Sequence, residues 1–254
     1  MLLALDIGNS NITIGAFDKN ELVFTARMKT DRLRTENQYA IELLDILKLY
    51  IKNFSFEGAI ISSVVPELTF IIKKAVFDVT ACEPMIIGPG IKTGLNVATH
   101  NAGEIGADLI AGAVGAVEKY PLPAIVVDLG TATKMYIVSE KKEFVGGMIA
   151  PGIRISVDAL SNECSQLPTV SLTAPDKAIS LNTSESMRSG IVFGFASLVD
   201  GMLERFTDEY GKVSTVVATG GLSKPIISNC KADILLDENL ILDGLRVIFN
   251  KNIA

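Results

Sequence analysis

Two short aliphatic segments of the chain each end in an aspartate that is followed by glycine and small polar side chains. The first is Leu3–Asn11, which contains Asp6, and the second is Ile125–Thr133, which contains Asp128. Glycine in such a turn lets backbone N–H groups approach a phosphate, and hydroxyl and amide side chains add donors. The neighbouring carboxylate can hold a cation or its water shell. The repeated pattern predicts a duplicated nucleotide-binding domain with phosphates in the cleft between its halves.

Two further segments could take part in the same chemistry. Thr219–Gly221 follows an apolar run and precedes a helical pattern, so its backbone N–H groups suit an anion and its glycines suit adenine or ribose. Gly103–Asp108 begins a helix that is rich in small residues and would line the cleft. The plainer readings stay open: tight hairpin turns for the first two loops, a simple strand-to-helix turn for Thr219–Gly221, and an acidic helix start favoured by the helix dipole for Asp108.

The apolar periodicity predicts an α/β chain whose two halves share one order of elements. Each half begins with three strands and continues with alternating helices and strands. The three strands fall at 2–7, 11–17 and 21–28 in the first half, and at 124–128, 133–139 and 143–148 in the second. This order resembles the ribonuclease-H-like unit of the acetate kinase, sugar kinase, Hsp70 and actin superfamily. We therefore expect two ribonuclease-H-like (actin-like ATPase) halves with a central cleft, at 1–120 and 121–254.

Composition narrows the class of protein. The 254 residues are 48% hydrophobic with a formal net charge of −6, which is ordinary for a globular protein. No basic run is present, so we expect no nucleic-acid partner. No basic, apolar leader and no long apolar stretch is evident, so we expect no signal peptide, no membrane partner and a cytoplasmic location.

Cysteine and histidine offer little metal chemistry. The three cysteines, Cys82, Cys164 and Cys230, are widely spaced, which favours buried thiols in a reducing compartment over a disulfide framework or a zinc site. His100 is the single histidine, and we expect it on the surface or in a loop.

Six motifs in a fixed order carry a family resemblance. They are Asp6–Asn11, Thr93–Leu95 with Asn101–Leu109, Asp128–Thr133, Gly146–Gly152, Asn182–Gly190 and Thr219–Gly221. On these motifs the chain resembles the type III pantothenate kinases, from Met1 to about Phe249. The resemblance implies ATP-dependent phosphorylation of pantothenate to 4'-phosphopantothenate, the first step of coenzyme A biosynthesis.

The resemblance also implies roles for individual residues. ATP would be bound by Thr131 and by one continuous segment: Asp6, Ile7, Gly8, Asn9, Ser10, Asn11, Ile12 and Thr13. Asp108 would be the general base, and Asp128 would bind potassium or ammonium. The pantothenate site would contain Gly106, Ala107, Asp108, Leu109 and Thr183, with part of the pocket supplied by the second subunit of a homodimer. Magnesium would bridge the phosphates.

The chain departs from the family pattern mainly on the side of the acid substrate. Leu109 stands where the family has arginine, Thr99 where tyrosine is common, and Lys134 where a third small hydroxyl residue is expected; Cys164–Pro168 replaces a T-A-x-L-P segment. Leucine cannot form the forked hydrogen bonds by which arginine holds a carboxylate. Lys134, Arg154 or Arg188 could replace that partner. Two alternatives therefore remain: a divergent paralogue that phosphorylates another small hydroxyl substrate, and a nucleotide-binding regulator without kinase activity.

Overall fold

The structure, a computed structural model, describes residues 1–97 and 105–253, which divide into two compact units. Unit 1 comprises 1–96, 105–118 and 239–253, and unit 2 comprises Val97 and 119–238. The chain passes from unit 1 to unit 2 close to the boundary expected at 120, but its last helix packs in unit 1 rather than in the second half. Thr99, His100 and the motif residues Asn101–Glu104 lie outside the described residues.

The elements follow the expected order. The strands are β1 (Leu2–Ile7), β2 (Asn11–Asp18), β3 (Glu21–Lys29), β4 (Gly58–Ser63), β5 (Met85–Ile86), β6 (Asn96–Val97), β7 (Ala124–Leu129), β8 (Ala132–Val138), β9 (Glu143–Pro151), β10 (Thr215–Thr219) and β11 (Leu235–Leu236). The helices are α1 (Glu36–Tyr50), α2 (Pro66–Thr80), α3 (Ala107–Lys119), α4 (Ile153–Glu163), α5 (Thr183–Tyr210), α6 (Ser223–Ile227) and α7 (Leu240–Ile253).

The two sheets share one design. The sheet of unit 1 has the order β3-β2-β1-β4-β5, and the second sheet has the order β11-β10-β7-β8-β9-β6, so that β9-β8-β7-β10-β11 repeats the first. In each, the central strand is antiparallel to the next strand of its hairpin and parallel to the strand on its other side. Each meander also has one register shift, at Ala16/Phe17 and at Ile137/Val138. The repeat confirms the predicted α/β class with two equivalent halves.

Side-chain alternation along β1 fixes which helices cover which face of the unit 1 sheet. Leu3, Leu5 and Ile7 pack in one buried cluster with residues of α1 and α2. Leu2 and Ala4 pack in another with residues of α3 and α7. Since alternate residues of a strand point to the same face, Asp6 continues the second series and lies on the side of α3. The last helix belongs to unit 1 because its apolar face completes this cluster.

Two glycines let the backbones of α7 and α3 approach each other closely. A Cβ placed on Gly244 would lie 1.8 Å from the carbonyl oxygen of Ala111, and one on Gly115 would lie 2.2 Å from that of Leu240. Real Cβ atoms do not approach backbone oxygens so closely, so both positions need glycine. This packing fixes α3, the helix that begins with Asp108, on its sheet.

The cysteines differ from the expectation of three buried thiols. All three are free, but Cys164 is exposed, while Cys82 and Cys230 are half-buried. Cys164 is exposed because it ends α4 at the surface. Burial, with a smaller contribution from the Asp200 carboxylate, raises the pKa of Cys230 to about 11, which favours the protonated thiol at neutral pH. Among the described residues no helix is long and apolar enough to cross a membrane.

We expect Gly244→Ala to destabilise unit 1, because backbone atoms of α3 cannot yield to a side chain as a flexible residue would. Overpacking of this kind costs about 1–3 kcal/mol. The matched control is Gly201→Ala on α5, where a Cβ would meet nothing within 4 Å. Alanine there should stabilise the helix by about 0.5–1 kcal/mol. Urea unfolding of both variants measures the difference, and equal stability of the two would contradict the packing described.

Candidate functional site

The β1–β2 turn of unit 1 presents polar side chains directly after Asp6. The N–H of Gly8 donates to the carbonyl of Asn11 at 3.0 Å and closes the turn. The side chains that follow Gly8 are exposed, namely those of Asn9, Ser10 and Asn11. Asp6, near the end of β1, and Thr13, near the start of β2, are half-buried. The turn therefore offers exposed donors above a carboxylate, as the sequence predicts for a phosphate loop.

The two isoleucines of the predicted ATP segment occupy a different environment. Ile7 and Ile12 are fully buried and pair across the hairpin. Both belong to the apolar cluster beneath α1 and α2. Only their backbone atoms could therefore contact a nucleotide.

Two residues that the sequence analysis did not single out hold this turn in place. Thr30 lies just after β3; its hydroxyl donates to the carbonyl of Gly8 at 2.7 Å, and its N–H donates to the carbonyl of Ser10 at 3.1 Å. Arg32 donates to the side-chain oxygen of Asn9 at 2.8 Å and also pairs with Glu67. Neither residue belongs to a recognisable motif. The sequence indicated only that both follow the predicted strand β3, whose end would lie close to the β1–β2 turn.

The start of α3 lies at the same edge of the unit 1 sheet as this turn. Val64 connects the two: its N–H donates to the carbonyl of Ile7 at 3.0 Å, and its side chain lies 3.6 Å from the position of a Cβ on Gly106. Asp108 is in the first turn of α3 and is half-buried. The structure thus brings Asp6 and Asp108, separated by more than 100 residues in sequence, to one edge of one sheet.

One oxygen of the Asp108 carboxylate is bonded to the backbone at the start of α3. Its Oδ1 accepts the N–H of Leu109 at 2.8 Å, and a Cβ on Gly106 would lie 2.5 Å from the same oxygen. Gly106 therefore makes room for the carboxylate. The chain neighbours of Asp108, namely Ala107 and Leu109, are half-buried.

In unit 2 the second aspartate is paired with a lysine. Asp128 lies directly opposite Lys134 across the β7–β8 hairpin, and the lysine Nζ is 2.6 Å from Asp128 Oδ2. The two side chains are only 7% and 15% exposed. The resemblance assigned a potassium or ammonium ion to this carboxylate, and the structure places an ammonium group of the chain itself against it.

Glycine turns enclose the other oxygen of Asp128. A Cβ on Gly130 would lie 3.3 Å from Oδ1, and one on Gly220 would lie 2.9 Å from it. Gly220 has a φ of +97° and therefore needs glycine for its backbone as well. Unit 2 thus brings the Asp128–Thr133 loop, with Thr131 half-buried in it, next to the Thr219–Gly221 loop.

The remaining substrate-side residues of unit 2 occupy three different settings. Thr183 is exposed at the start of α5, where Asn182 caps the helix by accepting the N–H of Glu185 at 3.0 Å. Arg188 donates to the carbonyls of residues 173 and 174, at 2.7 and 3.2 Å. Arg154 is exposed in the first turn of α4. Of the three cations considered for the substrate carboxylate, Lys134 and Arg188 are engaged elsewhere.

The described residues contain no group of three histidine, cysteine, aspartate or glutamate side chains that could hold a metal ion.

Comparisons with known proteins identify the family and the fold. A family model for type III pantothenate kinase matches residues 2–205. Curated type III pantothenate kinases of Halalkalibacterium halodurans and Brevibacillus brevis are 43% and 42% identical, covering 100% and 99% of this chain and the same shares of their own. The activator of 2-hydroxyisocaproyl-CoA dehydratase from Clostridium difficile, solved with bound ADPNP, has a TM-score of 0.57 at 12% identity, covering 97% of this chain and 92% of its own. The structural likeness confirms the predicted fold class, and the chain belongs to the type III pantothenate kinase family.

Proposed function

We propose that this chain transfers the γ-phosphoryl group of ATP to the hydroxyl of pantothenate, with Asp108 as the general base. The observation that carries the proposal is the position of Asp108 at the sheet edge where the Asp6–Asn11 turn lies, in a family of pantothenate kinases. A base and a phosphate loop at one edge are what phosphoryl transfer to an alcohol needs.

The reaction requires little covalent chemistry from the protein. The pantothenate hydroxyl oxygen forms a bond to the γ-phosphorus, the bond from that phosphorus to the β,γ-bridging oxygen breaks, and ADP leaves. Asp108 accepts the hydroxyl proton. Asp108 lies in the first turn of α3, where a negative charge interacts favourably with the helix dipole. Positioning and electrostatic stabilisation supply the rest of the rate enhancement.

The family resemblance assigns nucleotide binding to one turn in each unit. The exposed side chains after Gly8 and the half-buried Thr13 would donate to phosphate oxygens in unit 1, and Thr131 would do so in unit 2. Asp6, below the first turn, would orient water or cation ligands of the phosphates. ATP and a divalent metal follow from the kinase family. We propose that the metal is magnesium, which would neutralise charge on the phosphates.

The substrate carboxylate is proposed to have a different partner from that of arginine-bearing relatives. Leu109 cannot donate to it, while Arg188 holds residues 173 and 174 and Lys134 holds Asp128. Arg154, exposed at the start of α4, is the remaining candidate. Gly106, Ala107 and Thr183 would line the rest of the site.

A homodimer is part of the proposal. Ile179 and Leu181 are 87% and 99% exposed, directly before Thr183. Large apolar side chains that together form an exposed patch mark protein–protein contacts, and we propose that these two residues belong to such a patch. A second subunit covering them would lie beside Thr183 and could complete the pantothenate pocket. The cytoplasmic location expected from the sequence stays a prediction.

Two groups could supply the positive charge beside Asp128. The resemblance implies potassium or ammonium beside Asp128, and this stays a prediction. The Lys134 ammonium, 2.6 Å from the same carboxylate, is the second source of that charge.

The test of the function is ADP release from ATP in the presence of pantothenate, with the phosphorylated product identified by mass. Asp108→Asn should lose at least ~10²-fold in kcat, since a general base contributes ~10²–10⁴. Asp45→Asn, an exposed aspartate on α1 of the same unit, is the control and should behave as the wild type. Near-normal turnover by Asp108→Asn would exclude it as the base. ATP binding without turnover of pantothenate or related hydroxy acids would favour the regulator instead.

Leu109→Arg should lower the Michaelis constant for pantothenate. A charged hydrogen bond contributes about 1.5–3 kcal/mol, which corresponds to roughly tenfold to 150-fold in binding. Leu49→Arg on α1 adds the same charge at an exposed site and serves as the control. If Leu109→Arg leaves the constant unchanged, the carboxylate is already held by another residue.

Thr30→Val should raise the Michaelis constant for ATP several-fold. Valine keeps the shape of threonine but removes the hydroxyl that donates to the Gly8 carbonyl, so the phosphate turn loosens. Thr25→Val, an exposed position on β3, is the matched control. Steady-state kinetics at varied ATP checks this; a changed kcat for pantothenate with an unchanged ATP constant would contradict a role in the turn.

A further inference from the structure

Asp128 and Lys134 form a buried ion pair across the β7–β8 hairpin. Asp128 ends the central strand of its sheet, and Lys134 lies opposite it on β8 with 2.6 Å between Nζ and Oδ2. Both side chains are largely removed from water. Charges in such a place are costly unless opposite charges and hydrogen bonds compensate them, so removing either one takes a balancing charge away from the other.

The surroundings of the carboxylate do not fit a separate monovalent cation. Oδ1 faces the glycine turns at Gly130 and Gly220, and Oδ2 is bonded to the Lys134 ammonium. An ion bound to the same carboxylate would place a second positive charge beside the ammonium. Like charges at short range repel strongly where little water screens them.

The first half of the chain provides an internal comparison. Across the unit 1 sheet, Asp6 is flanked in register by Ser62 on β4 and by Thr13 on β2. Across the unit 2 sheet, Asp128 is flanked by Thr219 on β10 and by Lys134 on β8. In both sheets the parallel neighbour of the aspartate is a hydroxyl residue. The antiparallel neighbour, across the hairpin, is a hydroxyl residue in unit 1 and a lysine in unit 2.

We propose that the Lys134 ammonium serves as a built-in monovalent cation at Asp128, so that this chain works without potassium or ammonium ions. A hydroxyl side chain at this position would leave room and one oxygen ligand for an ion. Lysine instead supplies the positive charge covalently, in the fixed ratio of one per site. The activity part of the test rests on the proposed kinase function, whereas the binding part does not.

The binding part compares thermal unfolding in potassium chloride, sodium chloride and choline chloride at equal ionic strength, with and without magnesium and ADP. The wild type should unfold at the same temperature in all three salts. Lys134→Thr should unfold at a lower temperature in sodium or choline, and potassium should raise it by on the order of 3 °C, as expected for an ion that binds only the folded state.

Two variants serve as controls. Lys134→Met fills the site with an apolar chain of similar length, so it should be destabilised without any response to potassium. Lys141→Thr, an exposed lysine in the β8–β9 turn, removes the same charge and should respond to salt like the wild type. The comparison thus separates a specific ion at Asp128 from a general effect of lost charge.

The activity part uses the same variants and salts with ATP, magnesium and pantothenate. The wild-type rate should be equal in potassium and sodium. Lys134→Thr should lose roughly tenfold to 150-fold in sodium, the equivalent of one charged hydrogen bond, and regain most of it in potassium or ammonium.

Two results would overturn the proposal: a wild-type rate or unfolding temperature that depends on potassium, or a folded Lys134→Thr that gains no response to it. The wild-type measurement decides even if the variants fail to fold. Absence of pantothenate turnover in every salt, together with a potassium-independent unfolding temperature, would reject the kinase function and support the built-in cation.

Discussion

A carboxylate at the end of a buried central strand has to be balanced by donors or by positive charge, because an ionised group without them is costly to remove from water. This constraint acts on both halves of the chain. In unit 2 it is met by Lys134 across the hairpin, and the glycines at 130 and 220 allow the flanking turns to close around Asp128. The loops that the sequence marks as phosphate-binding are therefore built around their aspartates.

In unit 1, helix packing determines the position of the proposed catalytic aspartate. The glycines at 115 and 244 let α7 lie against α3, and Val64 joins the start of α3 to the end of β1. The proposed base, Asp108, consequently lies at the edge of the sheet that carries the first turn, although the chain between them contains two helices and several strands. The last helix, α7, packs in unit 1, which contains the first strands of the chain, and not in unit 2, which precedes it in sequence.

Local signals predicted most of the elements. Thr35 and Gln38 have the residue types and spacing of a capping box, which is typical of a helix start, and at the start of α1 the Gln38 side chain accepts the N–H of Thr35 at 2.9 Å. The position of α7 was not predictable, because apolar periodicity shows that a helix has a buried face but not which sheet covers it. Lys134 was noted only as a departure from a hydroxyl; counting back from the tight β7–β8 turn would have paired it with Asp128. Thr30 and Arg32 act through contacts that only the folded turn creates.

The most direct measurement of the central claim is anomalous diffraction from crystals of the wild-type protein and Lys134→Thr grown with thallium(I), a heavy substitute for potassium. The account predicts no thallium at Asp128 in the wild type, where the Lys134 ammonium remains bonded to the carboxylate, and a thallium ion at that carboxylate in the variant. A thallium ion on Asp128 of the wild type, with the lysine turned away, would contradict it.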